Sequence, residues 1–278
     1  MKQLKWMLAL AAVAMLAACA PKAKAPKVLV LYYSQTATTK AVAEEIATRL
    51  NADLEEITPE VPYGGSYMET IQRSREERES GQLPAVLPLK ADLAAYDVVF
   101  LGYPIWFGTY ALPVGSLLAQ ADFAGKKVVP FCTFGSGGLD SSVRDLKEHC
   151  PDAEILPGYG VRAARMDAVP KEIDQFLKAG GYLEGEAVNL EEFPEQHEVT
   201  EEEAAIFDAA VGDYPMISAK AATVASRAIP GGMEYLFTAF DKPREGAPVP
   251  MPDMEPRPMK VYVTVEEGQA PVFTQVAR

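Results

Sequence analysis

From Lys27 to Tyr182 the chain repeats one pattern: a short run that is apolar at nearly every position, then a stretch whose apolar residues recur at helical spacing. Val28 to Tyr33, Asp97 to Gly102 and Lys127 to Cys132 are such runs. A strand that is apolar on both faces needs cover on both, which a parallel sheet between helices supplies. Asp53 to Ile57 reads as a shorter second strand. Glu154 to Leu156, bent at Pro157-Gly158 and resuming at Tyr159 to Val161, reads as a fifth. Helices are marked by Val42, Ile46 and Leu50, by the stretch from Leu112 to Ala119, and by Val143, Leu146 and Cys150. A last one starts at Pro170 and carries Ile173, Phe176 and Leu177 until Gly180-Gly181 stops it. Right-handed crossovers put helices on both faces, so the expected class is α/β, a doubly wound five-stranded parallel sheet. Only Pro59 to Pro88 breaks the alternation, with room for one exposed helix.

Past Tyr182 the composition turns acidic, with Glu184, Glu186, Glu191, Glu192, Glu195 and Glu198. This divides the chain into a first domain over residues 27–182, an acidic linker over 183–199 and a second, smaller domain over 200–278. Thr200 is placed to cap a helix from Glu201 to Val211, whose leading acids suit a helix N-terminus. Alternating runs follow from Ile217 to Ala228 and from Met233 to Phe240, joined by the turn signal Ile229-Pro230-Gly231-Gly232. After a proline-rich stretch come Met259 to Val265 and Pro271 to Val276. One helix laid on an antiparallel sheet makes this an α+β domain. The helix and hairpins, with Arg227 to Gly232 at the turn, faintly resemble the cystatin-like fold, and a docking or structural role is expected for them.

At the N-terminus, Lys2 and Lys5 precede an apolar stretch from Trp6 to Ala18, too short to span a bilayer and placed like a secretory signal. Leu16-Ala17-Ala18-Cys19 resembles the bacterial lipobox. That resemblance implies a signal peptide over 1–18, lipidation of Cys19, a tether over 19–26, and a membrane-anchored lipoprotein outside the cytoplasm. The formal charge is −13, and removal of Lys2 and Lys5 would take it to −15, a sign that argues against nucleic acid as a partner. His149 and His197 stand far apart without ligand-spaced neighbours, which argues against a metal site or a histidine-based triad. Cys132 ends a strand at the ligand side, whereas Cys150 closes the following helix, about 16 Å away along eleven residues. A disulfide needs Cα atoms within about 7 Å, so two buried thiols are expected.

In an open parallel sheet, ligands sit beyond the carboxyl ends of the strands, near the point where strand order reverses. The loop after the first strand is Ser34-Gln35-Thr36-Ala37-Thr38-Thr39, hydroxyl-rich and ending at a helix N-terminus, where an anion is favoured. After the third strand, Pro104-Ile105-Trp106-Phe107-Gly108 puts aromatics at a loop apex, free to stack on a planar ligand. After the fourth, Thr133-Phe134-Gly135-Ser136-Gly137-Gly138 brings backbone N–H groups close to a ligand edge. Taken singly, the first loop is also an ordinary cap and the second also ordinary core. Together at one end of one sheet they match a flat heterocycle bearing a phosphate.

With these three loops, residues 27–182 resemble the flavodoxin family. Ser34-x-Thr36-Ala37-Thr38-Thr39 is similar to its phosphate loop, and the other two are similar to its isoalloxazine loops. The resemblance implies strand order 2-1-3-4-5, noncovalent FMN as cofactor, and electron transfer with a redox protein or quinone as partner. No catalytic acid, base or nucleophile is required of the protein. Ala37 stands where the family has glycine, which would weaken phosphate binding if that backbone requires positive φ. Two other readings stay open: an FMN-dependent quinone or nitro-compound reductase, and a flavin-free flavodoxin-like binding protein.

Overall fold

A computed structural model describes residues 26–212, 214, 217–242 and 258–277. The expected signal peptide, Cys19, the tether before Pro26 and most of the proline-rich stretch lie outside the described residues.

The first sheet follows from its apolar runs. Strand β1 (Val28–Tyr32) pairs in parallel with β2 (Asp53–Glu56) on one side and β3 (Val98–Trp106) on the other. Strand β3 also pairs antiparallel with the two-residue β4 (Thr109–Tyr110) and in parallel with β5 (Lys127–Phe134). The fifth position is filled by two pieces, β6 (Glu154–Ile155) and β7 (Tyr159–Arg162), both paired with β5. With the two pieces counted as one strand and the hairpin strand β4 left out of the count, the order is the expected 2-1-3-4-5. The split lies beside Pro130, which has no N–H to give the ladder, and Gly158 packs against the Pro130 carbonyl there.

Alternation along each strand sends side chains to two cores. Val30, Tyr32, Phe100, Val129 and Phe131 face α1 (Thr38–Leu50) and α5 (Val169–Ala179), which bury Val42, Ile46, Ile173 and Leu177. Leu29, Leu31, Leu101, Tyr103 and Cys132 face the other way, where α3 (Leu112–Gln120) buries Val114 and Leu117 and α4 (Leu139–His149) buries Leu146. Each fully buried side chain of this size contributes about 2 kcal/mol. Gly102 is needed in β3, since a Cβ there would lie 2.1 Å from the Phe131 ring. The exposed segment holds α2 (Tyr67–Ser80), started by a capping box between Ser66 and Glu69.

The C-terminal region forms a separate antiparallel sheet in the order β12-β11-β10-β9-β8, from β8 (His197–Glu198), β9 (Ala219–Ile229), β10 (Gly232–Asp241), β11 (Met259–Glu266) and β12 (Val272–Ala277). Helix α6 (Glu201–Val211) buries Phe207 and Val211 against Val224, Phe237, Val261 and Phe273. Thr200 caps it, in a reciprocal box with Glu203. The acidic stretch differs from a free linker. Its last residues pair with β9, and the Gln196 side chain bonds Thr223, Thr238 and the Leu236 carbonyl.

Cys132 and Cys150 are both buried and free. Burial pushes the Cys132 thiol far above its ordinary range and also raises that of Cys150, so neither forms an appreciable thiolate near neutral pH. Iodoacetamide should therefore label neither thiol in the native protein and both in urea. Rapid native labelling, or an intact mass showing a linked pair, would contradict this packing.

Candidate functional site

Parallel pairing brings three loops to one rim. Tyr32 lies opposite Gly102, Gly102 opposite Phe131, and Pro104 opposite Thr133. Two contacts join the loops directly. The buried hydroxyls of Thr39 and Thr133 bond each other at 2.7 Å, and the rings of Tyr33 and Trp106 meet edge-on at 5.6 Å.

The first loop turns into α1 through Ala37, which has φ +62° and makes no side-chain cap. The first-turn N–H groups of α1 lack intrahelical acceptors, as at any helix start. Only the N–H of Lys40 finds a side chain, the Ser34 Oγ at 3.2 Å. Thr36 and Thr38 bring their hydroxyls to 3.2 Å of each other at the surface. The cradle is thus neutral, rich in donors and open to an anion, while the Lys40 ammonium turns back toward Glu44 at 3.9 Å. These features fit a phosphate group.

Gln35 plays a different part. Its amide accepts from the Tyr33 hydroxyl at 2.8 Å and donates to the Tyr63 carbonyl at 2.5 Å, tying the loop to the exposed segment. Burial is the largest cause raising the phenols of Tyr33 and Tyr63 well above their ordinary range, so both remain protonated donors. Tyr63 donates to Glu77, whose other oxygen holds Arg73 at 2.8 Å.

The second loop is shorter than the sequence suggests. Pro104, Ile105 and Trp106 continue β3, and the turn is Phe107-Gly108, both at positive φ (+52° and +84°), closing a hairpin onto β4. Phe107 stands at the tip, 49% exposed, with the Arg78 guanidinium 5.5 Å from its ring centroid. Trp106 is half-buried and held edge-on by Tyr33 and by Tyr63, the latter at 5.0 Å. The Gly108 carbonyl accepts from Ser141 on α4, which locks the hairpin to the start of that helix.

The third loop also starts later than expected. Pairing with β7 carries β5 through Thr133 and Phe134, both buried, so the loop proper is Gly135 to Gly138. The Thr133 and Thr39 hydroxyls serve the scaffold by bonding each other. Three contributors gave little sign in the sequence: Tyr63, Ser141 and Arg162, whose Nε donates to the Gly135 carbonyl at 2.8 Å. Tyr63 stands beside a glycine pair, a turn signal, whereas Arg162 carries none.

Flavodoxin family statistics match residues 27–174, 148 of the chain's 278 residues, and the chain belongs to that family. A candidate flavoprotein of Bacteroides eggerthii is 31% identical, with a TM-score of 0.50, across 55% of this chain and 97% of that one. Another from Bacteroides uniformis is 30% identical, with a TM-score of 0.49, across 54% and 99%. A Lactobacillus acidophilus flavoprotein in complex with FMN is 24% identical, with a TM-score of 0.45, across 53% and 98%. No curated protein matches the chain. The family match ends at residue 174, before the second sheet begins.

Ala37 gives the site's sharpest stability test. A non-glycine residue in the left-handed region carries about 1 kcal/mol of strain. Ala37→Gly should therefore raise the unfolding free energy by about 0.5–1 kcal/mol in urea titrations, the gain being reduced by glycine's greater unfolded-state freedom. An unchanged or lowered midpoint would show that the alanine carries no such strain.

Proposed function

We propose that the chain binds FMN without a covalent link and carries electrons between redox partners outside the cytoplasm. The observation that supports it most is the uncapped, hydroxyl-flanked start of α1 beside an aromatic hairpin and a glycine loop at one rim. In this reading the backbone of residues 35–39 with the Ser34, Thr36 and Thr38 hydroxyls holds the phosphate. Trp106 and Phe107 contact the ring, and Gly135 to Gly138 face its polar edge. When bound, the flavin supplies the redox chemistry, and the chain supplies orientation and electrostatics. The formal charge of −13 disfavours adding negative charge at the ring and so biases it toward the oxidised state.

A lipid on Cys19 would hold the protein at a membrane, reached through the short tether. Among the described residues no helix is long and apolar enough to cross one. Nicotinamide donors are expected to be scarce outside the cytoplasm, which favours a carrier over an enzyme with a diffusible donor. One feature favours the second reading, an FMN-dependent quinone or nitro-compound reductase. A cleft of about 340 Å³ lies against the third loop, lined by Gly108, Ser136, Gly137, Ile217, Gln275 and Val276, and is large enough for a small substrate.

The purified chain should show flavin absorption in the visible range, or acquire it on titration with FMN. Stacking on an aromatic contributes about 1–3 kcal/mol, so Trp106→Ala should weaken FMN binding by about fivefold or more. Unchanged affinity would remove Trp106 from the ring contact, and absence of any FMN binding would leave the flavin-free reading. Brisk NADH or NADPH oxidation with a quinone would replace the carrier by the reductase.

A further inference from the structure

The third loop is gripped from outside by the second domain. Val276 of β12 donates its N–H to the Ser136 carbonyl at 2.7 Å, and Gly137 and Val276 form a parallel bridge. Arg162, at the end of β7, donates through Nε to the Gly135 carbonyl at 2.8 Å and through a terminal nitrogen to the Phe273 carbonyl at 2.9 Å. Its guanidinium lies 4.2 Å from the Phe273 ring centroid and 4.7 Å from that of Tyr214. Two consecutive loop carbonyls are thereby engaged by groups outside the loop. At Gly137 a Cβ would stand 1.9 Å from the Val276 carbonyl oxygen, so only glycine permits the approach.

We propose that the second domain is an intramolecular clamp on the flavin loop, with Arg162 as its positioning residue, and that the clamp sets flavin affinity and potential. This rests on the FMN reading above. Three of the four residues from Gly135 to Gly138 are glycines, the residue that loses most freedom on ordering. Fixing each residue costs about 1–2 kcal/mol. A clamp that meets this cost during folding removes it from the binding step. It also holds the loop's backbone dipoles in one arrangement beside the ring, where they bear on the potential. Arginine suits the post because its planar fork reaches two carbonyls while lying against two neighbouring rings, which a lysine ammonium cannot reproduce.

The test uses the full chain without its leader, as wild type, Arg162→Ala, Arg162→Lys and Tyr214→Ala. Three quantities are read: amide exchange at 135–138 and 273–277 without flavin, FMN affinity, and the midpoint potential of bound FMN. Exchange at β1 reports whether the core is intact. In Arg162→Ala, exchange at both segments should rise with β1 unchanged, affinity should fall by about tenfold, and the potential should shift. Arg162→Lys should restore little of this. Should Arg162→Ala fail to fold, Tyr214→Ala removes one of the two rings against the guanidinium while keeping both carbonyl bonds, and a smaller change in the same direction is expected. Unchanged exchange overturns the clamp. Raised exchange with unchanged affinity and potential overturns its role in tuning flavin. If wild type binds no FMN, the cofactor reading fails and the tuning role falls with it, while the exchange data still decide whether the clamp exists.

Discussion

Parallel pairing forces every main strand of the first sheet to end at the same rim, and the site depends on that constraint. Strands β1, β3 and β5 run side by side in one direction, so whatever follows each of them emerges near the others. The order reverses between β1 and β3, which send their following helices to opposite faces and leave a crevice between the first and second loops. A hydroxyl-rich turn, an aromatic hairpin and a glycine loop, far apart in the chain, thereby become one surface. The buried bond between Thr39 and Thr133 fixes the start of α1 to the end of β5. Such a bond contributes about 1 kcal/mol, but its loss from one side leaves a buried hydroxyl unsatisfied, at a cost of about 1–3 kcal/mol.

The electrostatics of the rim follow from the same elements. The turn at the start of α1 is built of backbone donors and hydroxyls, with its neighbouring ammonium directed at Glu44. It would hold an anion by hydrogen bonds and the dipole of α1, within a chain whose formal charge is −13. Near the second loop, cationic groups act through rings: Arg73 lies 3.9 Å from the Tyr63 ring centroid and Arg78 stands over Phe107. Arg162 of β7 adds a charge beside the third loop, drawn toward the carbonyl of Gly135 and held there by the second domain's Phe273. A family member of this kind thus places a structured module directly on its third loop.

Much of this was legible in the sequence because it rests on local patterns. Runs apolar on both faces gave the strands and their parallel pairing, and the cap at Thr200 gave the start of α6. The glycine that the family has at the Ala37 position made positive φ there the question to ask, and the backbone has φ +62°. What stayed hidden depends on partners distant in the chain. Thr133 read as a ligand residue because its hydroxyl partner, Thr39, lies 94 positions away. Trp106 read as a loop apex because the pairing that extends β3 needs Thr109 and Tyr110 to fold back on it. Nothing local distinguishes Arg162 from other surface arginines, since its role exists only when β12 arrives beside it. Likewise the acidic stretch read only as a linker because the Gln196 contacts that pin its end come from β9 and β10.

The most direct test of the convergent rim compares FMN with riboflavin in parallel fluorescence titrations of the same protein. The two ligands share the ring and differ in the phosphate, so their affinity ratio isolates the start of α1. Several hydrogen bonds to a charged group, each contributing about 1.5–3 kcal/mol, predict FMN tighter by at least about tenfold. Equal affinities would mean that the hydroxyl-rich turn holds no phosphate, and the account built on it would be wrong.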